Sequence, residues 1–278
     1  MATTAGAEGA ERALGSRLGA IAVALWWAVL FFGVIDLMVG IFPSKFPDEY
    51  DWNPTRVVAT SWGLLYTVLL PVPLIAWAVR PTGWVGPQIA AVATGVLLAG
   101  VAAPAPGQIF VAFLVAASGA FPRMWLPRPR WSMRPLAATP GFWPIGVLVA
   151  LGLVAGLAHA WDVLGTARDG APDDDDTWGL MHLPMQAGFA LAIPAAAAVA
   201  LLAMAHRVTG WWFAVVPPAA SAVWFGVFCA THPDLLGSVG ETAGWGTAAW
   251  GVVTAAAMWA AGYLTRRGSP RTAAPSRL

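Results

Sequence analysis

Apolar residues run along this chain in blocks of about twenty, separated by short stretches rich in Arg, Asp, Gly and Pro. Coiled as a helix, a block of that length spans the hydrocarbon core of a bilayer. The pattern predicts an all-α integral membrane protein with eight transmembrane helices, at 18–41, 57–79, 85–102, 108–122, 143–161, 181–205, 211–231 and 245–265. The fourth block is the shortest. Arginines precede the first, but that block is too long for the hydrophobic region of a signal peptide. No small-x-small cleavage site follows it, so it reads as an uncleaved first helix.

Composition strengthens this reading. Of 278 residues, 58% are apolar and 10% are charged, against about 25% charged in soluble domains. The net charge of +1 carries no signature of a nucleic-acid partner, and no basic face with interleaved aromatics stands outside the loops. The single cysteine, Cys229, cannot form an intrachain disulfide and reads as a buried thiol.

Charge also sets an orientation. Twelve arginines fall in one set of loops: Arg12, Arg17, Arg80, Arg123, Arg128, Arg130, Arg134, Arg207, Arg266, Arg267, Arg271 and Arg277. The other set holds Lys45, Arg56 and Arg168. This bias alternates through all eight blocks and predicts both termini on the cytoplasmic side of the inner cell membrane. Most acids lie on the opposite, outer side, including Asp173 to Asp176.

Three short matches recur in the same order. VIDLMVG at 34–40 resembles AWDVLGT at 160–166, pairing Asp36 with Asp162. SWGLLY at 61–66 resembles TWGLMH at 177–182, pairing Trp62 with Trp178 and Tyr66 with His182. RPTGW at 80–84 resembles RVTGW at 207–211. They predict a tandem repeat of two four-helix halves in the same orientation, at 18–135 and 136–265, flanked by cytoplasmic tails at 1–17 and 266–278. The register is uneven. Trp178 lies further ahead of Arg207 than Trp62 does of Arg80, so either the sixth helix starts outside the bilayer or TWG forms a separate outer turn. Thr177 and Ser61 are expected to cap helix N-termini.

Polar residues inside the blocks gather on the outer side. Asp36 sits near the end of the first helix, among Val34, Ile35, Leu37 and Met38. His159 and Asp162 are three apart near the end of the fifth and share a face. Trp178, His182 and Gln186 form a stripe down the start of the sixth. Ionisable groups at membrane depth normally face the bundle interior or a wet cavity. Asp36, Asp162, His159, His182 and Gln186 are therefore expected to converge in one outer cavity. Pro71, Pro73, Pro184, Pro194, Pro217 and Pro218 interrupt the second, sixth and seventh helices, as happens where freed carbonyls line a cavity.

No P-loop, GxGxxG, GxSxG, CxxC or HExxH motif occurs. The aspartate run at 173–176 formally contains the D-x-D-D pattern of proton-initiated terpene cyclases, but beside Pro172 it reads as a hydrated acidic loop. His159, Asp162, His182 and His232 are ligand types that zinc accepts, and His159 with His182 could flank a haem; no motif fixes either, and no cofactor is expected. In an apolar site, by contrast, a carboxyl kept neutral can donate a proton, and aromatic faces stabilise cationic carbon. The expected catalytic residues are Asp36, Asp162 and His182. Trp62, Tyr66, His159, Trp178, Gln186 and Trp224 would bind the substrate.

With FFGVIDL and SWGLLYT upstream, the TWGLMHLPMQ segment at 177–186 resembles an actinobacterial family of eight-helix integral membrane proteins carrying T-W-G-x-x-H-x-P-x-Q. The resemblance implies an architecture and makes His182, Pro184 and Gln186 motif residues; it supplies no activity. The expected function is binding, and acid–base transformation, of an isoprenoid- or lipid-like molecule from the outer leaflet, with membrane lipids as the other partners. A small transporter, a metal-dependent membrane hydrolase and a non-catalytic assembly partner are the alternatives.

Overall fold

The computed structural model describes residues 2–45, 53–120, 139, 141–170, 176–177 and 180–267. The described residues are helical apart from one small hairpin, and the helices follow the apolar blocks. Helix α1 (Ala2–Leu25) runs into a π turn (Trp26–Leu30), breaks, and resumes as α2 (Gly33–Ile41). Helix α3 (Arg56–Leu64) continues through a second π turn (Leu65–Leu69) into α4 (Pro71–Val79). Then come α5 (Val85–Ala102), α6 (Pro106–Ala120) and α7 (Phe142–Arg168). A hairpin of β1 (Asp176–Thr177) and β2 (Leu180–Met181) leads into α8 (His182–Ala205). The short α9 (Trp211–Ala214), α10 (Val216–Thr231) and α11 (Glu241–Arg267) complete the bundle.

Six helical stretches are long and apolar enough to cross a membrane: Ala13–Leu30, Arg56–Val79, Val85–Ala102, Phe142–Arg168, His182–Ala205 and Trp211–Thr231. Helix α6 is apolar but has only 15 residues. Helix α11 has 27 residues diluted with Gly, Thr and Trp, and is not among the six. A multi-pass membrane protein is the consequence, and the exposed Leu151, Val154, Leu157 and Trp161 on one side of α7 are what lipid contact requires.

Prolines and aromatics shape the irregular turns. Pro71 and Pro73 have no N–H to return to Thr67 and Leu69. The turn before them widens instead, and the Leu70 N–H reaches back five residues to the Leu65 carbonyl at 3.2 Å. In the first π turn the Phe31 N–H bonds the Trp26 carbonyl at 3.0 Å. Phe32 then adopts φ 62°, a left-handed conformation uncommon outside glycine, which ends the expected single helix over 18–41. Of the other prolines, Pro194 alone lies well inside its helix; Pro184 sits in the first turn of α8, and Pro217 and Pro218 in that of α10.

The expected caps are corrected. Ser61 lies within α3 and donates to the Val58 carbonyl at 2.7 Å. Thr177 belongs to β1, and α8 starts only at His182, after Met181. Thr177 therefore lies in a hairpin strand ahead of α8 and not inside that helix.

Helix α8 is the central element, packed on α5 and on α7. Small residues bring the backbones together: Gly95 lies against Gly188 and Ala192, and Gly156 against the Ala190 carbonyl. Buried glutamines add cross-links. Gln88 Nε2 donates to the Ala214 carbonyl at 2.8 Å, the group that Pro218 cannot serve. Gln108 Nε2 donates to Pro184 at 2.8 Å and to Val96 at 3.1 Å.

Candidate functional site

Two neighbourhoods hold six of the nine expected site residues: Asp36, Trp62, Tyr66 and His182 in one, His159 and Asp162 in the other. The first is a nest of rings around Tyr66, which is fully buried in the second π turn. Trp27 stacks on it at 5.2 Å, and Phe31 and Trp62 meet it edge-on at 4.7 and 5.7 Å. Its hydroxyl donates to Met185 Sδ at 3.1 Å, which ties the ring to α8. The His182 ring lies 4.9 Å from Trp62. Helix α2 approaches because Gly33 packs directly on Tyr66 and Gly63 on the backbone of Leu37. Asp36, half-buried and one turn beyond Gly33, is an electrostatic neighbour of Tyr66. Asp36, Trp62, Tyr66 and His182 thus share one packed region.

The second neighbourhood is a cavity of about 590 Å³ between α7, α8, α10 and α11. His159 and Asp162, one turn apart on α7, supply its ionisable groups. The His159 Nε2 is buried without a hydrogen-bond partner. Its ring lies 5.8 Å from Phe225, which meets Phe189 edge-on at 5.4 Å. Trp250 contributes another wall and is fixed by donating from Nε1 to the Leu148 carbonyl at 2.7 Å. The space exists because facing positions are small, among them Gly152, Gly156, Ala243 and Gly246. Pro194, also in the wall, withholds the N–H that the Ala190 carbonyl would receive in a regular helix. An apolar chamber with a few polar groups toward one end is the usual form of a small-molecule site, and its volume lies within the usual range of about 300–1,000 Å³.

The expected convergence of five residues is therefore corrected: the cavity takes His159 and Asp162 and is not lined by Asp36, His182 or Gln186. Gln186 is fully buried and donates from Nε2 to the Gly237 carbonyl at 2.7 Å, holding the connection from α10 to α11. Gly237 has φ 75°, a left-handed conformation that favours glycine, and it packs on the Gln186 amide. Trp224 is 44% exposed on α10 and does not line the cavity. Trp178 and Asp173 to Asp175 lie outside the described residues. Among the described residues, no three of His, Cys, Asp and Glu gather as metal ligands. His159, Asp162, His182 and His232 accordingly do not form the zinc set considered from sequence. His232 instead stacks on Phe228 at 4.4 Å.

Sequence reasoning missed Phe225, Trp250 and Thr247 in the cavity and Met185 beside Tyr66. The mid-helix Pro194 and the small residues of the 152–158 stretch were the available signal. Comparison of the chain with protein-family models, with curated proteins and with solved structures finds no match.

Proposed function

We propose that this membrane protein binds a lipophilic small molecule, isoprenoid- or lipid-like, in the cavity between α7, α8, α10 and α11. One observation carries the proposal: an apolar chamber of about 590 Å³ is lined by His159, whose buried Nε2 has no partner in the protein. An unpaired polar atom in an apolar setting is costly, and a ligand hydroxyl or headgroup oxygen would satisfy it. Asp162, one turn away, would take the other side of that group, so the two residues can hold and exchange a proton with the ligand. The aromatic edges of Phe225 and Trp250 would line its hydrocarbon part.

The same proposal extends the six apolar stretches to eight crossings, with α6 and α11 as the additional ones, and sets both termini on the cytoplasmic side. It includes the two-half repeat and the likeness to the actinobacterial eight-helix family. Helix packing supports the repeat: α5 pairs with α6 as α10 pairs with α11, and α2 with α3 as α7 with α8. The arginine distribution supports the orientation. A reporter fused to either terminus should remain on the cytoplasmic side.

Protein purified in mild detergent and extracted with solvent should release a stoichiometric lipophilic compound, detected by mass spectrometry. A Cβ at Gly246 meets nothing within 4 Å, and Gly246 lines the cavity, so Gly246→Phe should fill the chamber without breaking the fold. That variant should release about a tenth as much, the effect of losing about 1.4 kcal/mol of affinity. Equal release from both proteins would end the proposal.

A further inference from the structure

A second cavity, of about 580 Å³, opens at the other end of the bundle, where the connections from α4 to α5 and from α8 to α9 meet. Its wall carries Arg80, Arg207, Thr209, Trp212 and Thr265, and none of the described residues that line it is acidic. The arginines come from the two matching loops, RPTGW and RVTGW, which pack together: Gly210 of one lies against Thr82 and Trp84 of the other. We propose that this cavity binds a phosphate group at the cytoplasmic boundary of the membrane.

Three features support a site beyond a mere gathering of surface cations. Behind Gly210 stand two buried polar groups without partners, Trp84 Nε1 and Thr82 Oγ1. Trp84 is fully buried, and its indole N–H can only donate. Neither residue lines the cavity, but an unmet donor directly behind a cationic wall adds to the positive potential there. Second, Arg207 adopts φ 51° at the end of α8. There its N–H bonds the Met204 carbonyl and the Val208 N–H bonds the Ala203 carbonyl, each at 2.9 Å. This is a Schellman ending, and arginine occupies the left-handed position where glycine is the default. Third, Trp212, 48% exposed, stands in the wall with its carbonyl held by Trp259 Nε1 at 3.0 Å. A half-exposed indole belongs at the interface between headgroups and acyl chains. Cations at the ends of α4 and α8 would favour the helix dipoles in any case. That effect requires neither the cavity nor the orphan donors, and it gives no reason for arginine at a glycine position.

A phosphate can arrive on an anionic lipid or free in solution, and basic pockets at the cytoplasmic face of a bundle are suited to lipid headgroups. The test uses the full chain, delipidated in detergent. Phosphatidylglycerol, phosphatidylcholine and inorganic phosphate are added separately, with binding read by native mass spectrometry and by thermal unfolding. Phosphatidylglycerol retained over phosphatidylcholine assigns the phosphate to a lipid; saturable stabilisation by inorganic phosphate without lipid retention assigns it to a free anion. In either case Arg80→Gln and Arg207→Gly should each weaken binding about tenfold, the scale of one charge-assisted hydrogen bond. Arg207→Gly suits the left-handed backbone, and its unfolding without ligand is measured beside the wild type to separate folding from binding. Absence of binding by the wild type, or unchanged binding by both variants, would overturn the proposal.

Discussion

Asp36 and Asp162 stand in matching segments, yet their surroundings differ. Around Asp36 the space is filled: Tyr66 is enclosed by Trp27, Phe31 and Trp62, and Gly33 and Gly63 let α2 press onto α3. Around Asp162 the space is open, because α7 and α11 face each other through small residues over a cavity of about 590 Å³. In the matched segments the residue three before each acid is Gly33 in one case and His159 in the other. Glycine admits a neighbouring ring, whereas the histidine side chain keeps its own place. The first region reads as structural support and the second as a receptacle, and substitutions can separate those roles.

The largest effect should come from the filled region. Tyr66→Ala removes the ring that three aromatics enclose and the bond to Met185, and should cost about 3–5 kcal/mol in unfolding from detergent micelles. Trp161→Ala, at a position 73% exposed, should stay within about 0.5 kcal/mol. If Tyr66→Ala proved as mild as Trp161→Ala, the contrast between the regions would collapse.

Next comes the contact that closes α7 onto α8. A Cβ at Gly156 would lie 2.5 Å from the Ala190 carbonyl oxygen, and backbone cannot move aside cheaply. Gly156→Val should therefore cost about 1–3 kcal/mol. Gly246 lines the same cavity with nothing near its Cβ, so Gly246→Ala should gain about 0.5–1 kcal/mol from helix propensity. Thermal unfolding of the pair tests whether the cavity has one tight wall and one free wall. A third comparison concerns the loop beside the cavity. Gln186→Leu leaves the Gly237 carbonyl unpaired and should cost about 1–2 kcal/mol. Phe110→Ala, at a position 62% exposed on α6, should change stability by less than about 0.5 kcal/mol. Equal effects at Gln186 and Phe110 would mean that the loop is not held through this bond.

The fold was legible where the signal is one-dimensional. Most apolar blocks placed their helices within a few residues, though α1 begins at Ala2 and α7 runs on to Arg168, and the RPTGW and RVTGW matches lie in connections that meet in space. The single pocket was not legible. Sequence gives each polar residue a depth along its helix, but its direction around the helix depends on which neighbours pack there. His159 and His182 lie on neighbouring helices, yet one faces Phe225 and the other Trp62. The SWGLLY and TWGLMH segments also differ in local structure. The first lies inside a continuous helix, while the second spans a hairpin and only the start of one. Nor could propensity reveal the break at Phe31 and Phe32. That break puts Phe31 into the ring cluster of Tyr66, a tertiary demand that overrides the apolar pattern.

The smallest effect on stability belongs to the residue with the largest role in the proposed function. His159 Nε2 has no hydrogen-bond partner in the protein, so His159→Leu sacrifices no bond from that atom and relieves a buried polar group. In delipidated protein the variant should match the wild type within about 0.5 kcal/mol, or exceed it. With ligand present the order should reverse. If the ligand supplies the missing partner, the wild type gains a bond that leucine cannot make and should retain the compound about tenfold better. The measurement is unfolding with and without the extracted compound, run in parallel with Asp162→Asn. A loss of stability in His159→Leu without ligand would show that the ring is a structural member after all. Undiminished retention would show that the chamber holds its ligand by shape alone.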